Sequence, residues 1–295
     1  ILSGLVGSEM CIRDRPNIEQ DDMNMYRSTA MLRVASAAAL AVLLAMPVAH
    51  AQNAELSTRT GSEVAITATS YKYEEPGTMN LKATKLGFEY SYTHSLDSEW
   101  PNRNEGWFLR ADVRYATGKT DYDSVTTGSM KNRPDWYYEV RGLIGKDFDM
   151  GSYVLAPYAG LGYRYLFNDL RGLSTTLVPG YRRESRYVTL PIGVTHKTTL
   201  SGGSQLHTTF EYMHLLDGRQ ESRFTDTNPA RADVSLKQNS GYGLRLSSMM
   251  HFDRWSIGPT FIYWRVNDSD RGGVPLVFEP KNKTYEFGLK AAYRF

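Results

Sequence analysis

The chain ends in Tyr285-Glu-Phe-Gly-Leu-Lys-Ala-Ala-Tyr-Arg-Phe295, and this run decides the fold class. Tyr285, Phe287, Leu289, Ala291, Tyr293 and Phe295 fall on one face of an extended chain. Glu286, Gly288, Lys290, Ala292 and Arg294 fall on the other. Such alternation is the period of a β-strand, and no 3.6-residue stripe competes with it.

The pattern repeats upstream. Trp107, Leu109, Ala111, Val113 and Tyr115 alternate with Phe108, Arg110, Asp112 and Arg114. Leu86, Phe88, Tyr90 and Tyr92 alternate with Lys85, Gly87, Glu89 and Ser91. The periodicity predicts ten strands, near Ser62–Glu74, Met79–His94, Glu105–Gly118, Arg133–Lys146, Ser152–Phe167, Glu184–Thr195, Ser204–Leu216, Val234–Met250, Arg254–Val266 and Lys283–Phe295. Most reach the roughly 9–11 residues of a tilted membrane-spanning strand, whereas soluble strands average about 5–6. Tight turns at Asp147–Gly151, Leu200–Gly203 and Phe252-Asp253 alternate with long polar connections at Lys119–Asn132, Asn168–Arg183, Asp217–Asp233 and Asn267–Asn282. Two connections depart from this rhythm: Glu75-Pro76-Gly77 is short and Leu96–Asn104 is long. Short turns on one side and long loops on the other are the signature of a barrel inserted from the periplasm. The expected fold is all-β, a transmembrane antiparallel up-and-down β-barrel of about ten strands, or eight if the first hairpin is peripheral. Pro157, Pro191 and Pro259 fall inside strands, so bulges or ladder breaks are expected there.

Composition narrows the class. The 295 residues hold 34 Lys+Arg against 32 Asp+Glu, one Cys and 20 Tyr, at a mean hydropathy of -0.44. That hydropathy excludes a polytopic helical membrane protein, but not a barrel, in which every second residue faces the lumen. The near-neutral balance argues against a nucleic-acid binder. A single Cys excludes a disulfide framework and a Cys-based zinc site. The Tyr excess suits two water–lipid boundaries, where a ring needs an apolar body and a polar tip. Trp107, Trp136, Tyr163, Tyr165, Trp255, Tyr263, Tyr285 and Tyr293 sit near strand ends, as such belts require.

The beginning of the chain reads as a leader. Residues 25–51 carry Arg27 and Arg33, the apolar run ASAAALAVLLAM from Ala35 to Met46, and Ala49-His50-Ala51 before Gln52. Charge, short apolar run and small-x-small site define a secretory signal peptide, with cleavage expected after Ala51. Residues 1–24 precede that leader, and LVGSEMCIRDR within them resembles translated sequencing adapter; they read as a gene-model artefact. Residues 52–295 are then the barrel, 244 residues without cysteine and with a formal charge of +3.

With leader, alternating strands and a terminal Tyr293-Arg294-Phe295 together, the chain resembles small bacterial outer-membrane β-barrel proteins, a small-porin-like class. The resemblance implies a Gram-negative cell envelope and the bacterial outer membrane as location. It also implies periplasmic chaperones and the barrel-assembly machinery as partners, with Tyr293 and Phe295 as the assembly signal.

On this reading the lumen receives Lys85, Glu89, Arg110, Asp112, Arg114, Glu139, Arg141, Arg164, Glu211, Arg245, Glu286, Lys290 and Arg294. A barrel of about 8–10 strands has little room beyond its own side chains. Opposite charges there should pair, giving a structural plug; the alternative is a narrow, anion-favouring diffusion channel. Ten strands also raise a weak resemblance to omptins, outer-membrane proteases using paired Asp and Asp-His groups at the extracellular rim. Asp121-Tyr-Asp123, His214-Leu-Leu-Asp217, and Gly180-Tyr181 followed by Glu184-Ser185-Arg186-Tyr187 echo that family. The Asp-x-His element is absent, and three-residue spacing on a strand puts His214 and Asp217 on opposite faces. No catalytic, cofactor or metal site is expected: Asp268-Ser-Asp270 lacks the rest of a calcium loop, and Gly160-Leu-Gly162 lies mid-strand. The leading expectation is a structural or surface-interaction barrel. Its loops carry Arg171, Arg182, Arg183, Arg219, Arg223 and Arg231, which would meet outer-membrane lipid and lipopolysaccharide.

Overall fold

The computed structural model describes residues 56–96, 106–273 and 276–295; the expected leader and the segment ahead of it lie outside the described residues. Ten long strands follow one another: β1 (Gly61–Glu75), β2 (Met79–Ser95), β3 (Trp107–Ser124), β4 (Gly128–Lys146), β5 (Tyr153–Leu173), β6 (Pro179–Thr199), β7 (Gln205–Ser222), β8 (Gly241–Phe252), β9 (Trp255–Val266) and β10 (Asn282–Arg294). Each pairs antiparallel with the next. β10 closes on β1, with Glu63 opposite Arg294 and Glu74 opposite Lys283. Closure leaves the barrel sheet without an edge, so every strand finds backbone partners on both sides. Phe295 N–H donates to the Ser62 carbonyl at 3.0 Å and Ser62 N–H to the Phe295 carbonyl at 3.2 Å, sealing the seam at the terminal end.

The first seven strands are longer than the sequence pattern predicts. β5 and β6 each run 21 residues. At about 3.3 Å per residue and a tilt near 40° that is roughly 50 Å of height, against a hydrocarbon core of about 30 Å. The excess lies at the end away from the termini. There, two expected long loops are mostly strand. The connection expected over Lys119–Asn132 is a hairpin turning only at Val125–Thr127. The one expected over Asn168–Arg183 turns at Ser174–Val178. A hairpin arm standing clear of lipid is wet outside, so its apolar alternation fades and its sequence looks like a loop. A bulge helps shape the first arm. Asp121 faces Lys131 and Asn132, takes the Lys131 ammonium at 2.9 Å and the Asn132 N–H at 3.1 Å, and holds Asn132 at φ 57°.

The other two long connections remain loops. Residues 223–240 carry a one-turn 3-10 helix, Phe224–Asp226, and a short strand, Val234–Lys237, paired with β7. The strand expected over Val234–Met250 is therefore two pieces. Residues 267–281 carry a two-residue ladder, Arg271–Gly272 with Val277–Phe278.

Each of the three prolines expected inside strands sits at a gap in a ladder. Pro157 lies between the pairs Gly145–Tyr158 and Phe148–Leu155. Pro191 lies between Ala159–Ile192 and Gly162–Thr189, and Pro259 between Ser247–Thr260 and Met250–Ile257. Register is kept across all three gaps. A missing donor is tolerated by skipping bonds rather than by shifting the strand.

The two faces differ as lipid and lumen demand. Ile66, Leu86, Phe88, Leu109, Val113, Leu161, Ile192, Phe210, Leu246, Ile257, Phe287 and Leu289 are exposed on the outside. Above them runs an aromatic belt: Tyr115, Trp136, Tyr138, Tyr163 and Tyr165 in ring contact, then Tyr212, Tyr242, Tyr263 and Tyr285. Trp255 meets Tyr293 edge-on at the terminal end. The Tyr excess has a second source that belts do not explain. Tyr71, Tyr122, Tyr137 and Tyr187 are buried inside the barrel. Tyr137 and Tyr187 pack with Ala116, Leu166, Leu215 and Val266, and Tyr122 with Met79, Leu81, Met130 and Leu170. The interior is thus layered: ionic toward the termini, apolar beyond that, with Arg183, Glu75 and Glu279 buried together at the far rim.

Leu86, 66% exposed on the outer wall, tests which medium that wall faces. In lipid, Leu86→Arg costs about 2–4 kcal/mol in urea unfolding from vesicles, and Thr84→Arg nearer the rim at most about 1 kcal/mol. Equal, negligible costs at both positions would contradict a lipid-facing wall.

Candidate functional site

Strand parity builds the interior site. Even-numbered residues of β3 and β10 and odd-numbered residues of β4 point inward, which places Arg114, Glu286, Tyr137 and Glu139 together. Glu286, 1% exposed, is the hub of the first cluster. Arg114 donates to it at 3.0 Å, Arg164 at 2.8 Å and the Tyr137 hydroxyl at 2.5 Å. The Tyr137 ring has the guanidinium of Arg164 4.6 Å and that of Arg114 5.2 Å from its centre, and the Lys85 ammonium at 4.9 Å. Lys85, fully buried, pairs with Asp135 and lies 3.7 Å from the Tyr71 ring centre. Asn168 fills the other Asp135 oxygen at 2.6 Å.

A second cluster centres on Arg141. It donates to both Glu211 oxygens at 2.8 Å and to Asp112 at 2.6 Å, and lies 3.4 Å from Glu139. Tyr158 donates to Glu211 at 2.8 Å, Arg245 to Glu139 at 2.5 Å and Arg110 to Asp112 at 2.6 Å. Toward the termini, Lys290 bridges Glu89 at 2.9 Å and Glu63 at 3.3 Å, and half-exposed Arg294 lies 3.9 Å from Glu63. Glu89 also meets Arg114 at 3.0 Å, which joins the mouth to the Glu286 cluster.

Several of these bonds cross the lumen. Arg164 on β5 reaches Glu286 on β10, and Arg141 on β4 reaches Glu211 on β7. In neither link are the two strands neighbours. The planar guanidinium can bridge two carboxylates in fixed geometry, which a lysine ammonium does less well. All thirteen charged side chains expected inside take part. Glu63 and Asp135 join them, although strand parity alone marks both as inward. With them this network holds eight cations against seven anions among the described residues, so the basic excess behind an anion-selective pore nearly vanishes. A polar cavity of about 420 Å³ walled by the Arg141 cluster opens toward the termini, lined by Arg141, Glu211, Glu63, Arg110, Lys290 and Arg294 among others. Its mouth is crossed by residues 56–60: Thr58 N–H donates to Asp147, and Lys197 holds Asp147 at 2.8 Å and the Thr58 hydroxyl at 2.6 Å. Gly160 and Gly162 serve packing. A Cβ on Gly160 would stand 2.0 Å from the Gly142 carbonyl, and one on Gly162 2.7 Å from the Thr189 hydroxyl.

The family model for the autotransporter β-domain matches residues 55–258. The chain belongs to the autotransporter β-domain family. Among solved structures it is similar to the outer-membrane protease OmpT of Escherichia coli, at 11% identity and TM-score 0.56, over 80% of this chain and 96% of that one. It is also aligned with the translocator domain of autotransporter NalP from Neisseria meningitidis, at 13% identity and TM-score 0.42, over 92% and 98%. A curated nucleotide-binding protein of Frankia alni is 30% identical over 124 residues, 42% of this chain. The chain spans about a third of that relative's length, 34%. The protein is an outer-membrane β-barrel. The terminal end of the barrel is then periplasmic, and the overhanging hairpins are extracellular.

At the extracellular rim most loop arginines have carboxylate partners. Arg171 pairs with Asp169, Arg182 with Asp226, and Arg223 with Glu184, Glu221 and Asp233. Hydrogen bonds from Arg182 hold the Asp226 carboxyl below the usual range. Arg183 is buried between Glu75 and Glu279, and its guanidinium lies 5.5 Å from the Tyr73 ring centre. Burial, with Glu75 beside it, pushes the Glu279 carboxyl up to about 7 despite Arg183. The omptin-like acids and His214 do not converge. Asp121 is tied to the β4 bulge, while His214 is exposed on the outer wall of β7 against Tyr212. A register shift at Val188/Thr189 leaves Leu216 unpaired and turns Asp217 outward too, so His214 and Asp217 share the outer face rather than opposing each other. Among the described residues no His, Cys, Asp and Glu group could hold a metal ion. Asp268 instead accepts the Lys281 N–H, and Asp270 the Lys237 N–H, pinning the loop.

Two outcomes follow from this geometry. Glu286→Ala strands Arg114 and Arg164 without their shared carboxylate and should cost about 3–5 kcal/mol in urea unfolding; a loss below about 1 kcal/mol would mean that the hub is not buried. Glu279 is protonated more readily folded than unfolded, where a Glu titrates near 4.3. Its contribution is therefore present below about 4.3 and lost as pH rises through about 7. Hydrogen exchange across residues 267–281, corrected for intrinsic rate, should be faster at about pH 8 than at about pH 5.5, and Glu279→Gln should flatten the difference. The groups facing Glu279 are Tyr73, Glu75, Arg183 and Tyr187.

Proposed function

We propose that this autotransporter β-domain works as a closed outer-membrane barrel with a structural and surface-interaction role, not as an open pore or a protease. The observation that carries the reading is the pair of links Arg164–Glu286 and Arg141–Glu211, which run across the lumen between non-adjacent strands. A conducting path must break them, and an unpaired buried charge is costly. The apolar layer around Tyr137, Leu166, Tyr187 and Leu215 supports the same reading on the extracellular side. What meets the outside is a rigid rim of strand hairpins, joined by the loops 223–240 and 267–281. Sites displayed on such scaffolds are the usual place for contact with partners.

Export by a leader cut after Ala51, delivery by periplasmic chaperones and recognition of Tyr293 and Phe295 by the barrel-assembly machinery belong to this proposal. Both rings face outward at the β10–β1 seam, where an assembly factor can reach them. Lipopolysaccharide remains a partner of this reading, but not through the loop arginines, most of which already hold carboxylates.

Planar-bilayer recording tests the proposal. The refolded protein should show no steady openings at about 100 mV, a drive of about 2.3 kcal/mol per charge moved. Steady steps of uniform size would favour the narrow diffusion channel, for which the 420 Å³ periplasmic cavity is the starting volume. Cleavage of a dibasic peptide that is lost in Asp121→Ala or His214→Ala would favour the omptin-like reading instead.

A further inference from the structure

The outer wall carries its charges unevenly. On β6 and β7 Arg186 stands opposite Arg219, but two carboxylates lie beside it, Glu184 at 3.5 Å and Glu221 at 3.3 Å. On β9, β10, β1, β2 and β3 the outward charges are less balanced. Lys72 on β1 stands directly opposite Lys82 on β2. Lys283 on β10 stands directly opposite Arg265 on β9. Lys119 extends the row to β3, with Lys82 opposite Asp121 on the same strand. All five side chains point outward by strand parity, near the extracellular ends of their strands. Like charges directly across a ladder are destabilising, and two such pairs occur on four consecutive strands.

Few carboxylates relieve them. Glu74 pairs with Lys72 and faces Lys283 across the β10–β1 ladder. Asp121 is held by Lys131. Lys82, Lys119, Lys283 and Arg265 have no ion pair among the described residues. The row also lies just beyond the extracellular aromatic belt: Arg265 follows Tyr263 by two residues, and Lys283 precedes Tyr285 by two. In a bilayer, that height is where the headgroups of the outer leaflet sit.

We propose that Lys72, Lys82, Lys119, Arg265 and Lys283 form a docking strip for a phosphorylated lipid of the outer leaflet, whose phosphates neutralise the two like-charge pairs. This rests on the outer-membrane reading and names a lipid partner for it. The spacing suits a headgroup bearing more than one phosphate, because a single anion cannot serve cations spread over five strands. Wall lysines supply point charges that accept phosphates in varied geometry.

The test uses the refolded full barrel and a variant with Lys72→Gln, Lys82→Gln, Lys119→Gln and Lys283→Gln. Both are placed in phosphatidylcholine vesicles alone, with diphosphorylated lipid A, with dephosphorylated lipid A, or with free inorganic phosphate. A chelator is present throughout, so that bridging divalent cations do not contribute. The readout is the temperature at which the fast-migrating folded band is lost on an unheated gel. The wild type should gain several degrees with diphosphorylated lipid A and none in the other arms. The variant should gain none, while in phosphatidylcholine alone it matches or exceeds the wild type, because its like-charge pairs are gone. An equal gain in both proteins, no gain in the wild type, or the same gain from free phosphate would overturn the proposal. Failure of the wild type to insert into phosphatidylcholine would overturn the outer-membrane reading itself and the strip with it.

Discussion

Buried charge that must find its partner across the barrel is the constraint on which this structure rests. A ten-strand barrel is too narrow to keep its lumen side chains hydrated as a bulk channel would. Its inward polar residues therefore have to satisfy one another. Arginine answers this best, since one fork spans two carboxylates. Arg141 ties Asp112, Glu139 and Glu211 together from β4, and Glu286 collects Arg114, Arg164 and Tyr137 from three other strands. These contacts brace the wall from inside, as a packed core braces a soluble domain. Lipid outside supplies no comparable force, because the outward apolar side chains face a medium as apolar as themselves.

The interior is not polar throughout. Toward the extracellular end the ion pairs give way to Tyr122, Leu81, Met130 and Leu170, and to the cluster around Tyr137. Above the membrane the barrel stands in water, so burying apolar side chains inside it is again favourable. The overhanging hairpins can then hold their shape without lipid support. The same change of medium accounts for the paired loop arginines, which tie the 3-10 turn and the short strands back to the rim.

Much of this was legible in the sequence. Eleven alternating residues from Tyr285 to Phe295 carry the fold class, and parity alone points all thirteen expected lumen charges inward. Asp135 was legible by the same parity as Glu139 and Arg141, but it sits near the start of its expected strand, where alternation has few repeats. Glu63 sits near the end of β1, where alternation has few repeats to show itself. The hairpin arms around Asp121 and Asp169 look like loops in sequence because strands outside lipid lose their apolar face. The divided role of tyrosine was illegible for a different reason. Belt tyrosines and core tyrosines alternate with polar residues alike, and only closure of the sheet says which medium each meets. The pairing of Arg164 with Glu286 also depends on closure, since no local pattern links residues more than a hundred positions apart.

Membership of the autotransporter β-domain family fixes the compartment and the scaffold, while the occupancy of the lumen decides the role. On the proposed reading, cross-lumen ion pairs hold the barrel shut and stable. A double-mutant cycle on Arg141 and Glu211, using Arg141→Met, Glu211→Gln and the pair, with urea unfolding from vesicles, tests it most directly. The claim predicts a coupling of at least about 1.5 kcal/mol, because each single change strands the other charge in the lumen. Additive losses, with coupling below about 0.5 kcal/mol, would mean that the two side chains do not depend on each other and would contradict it.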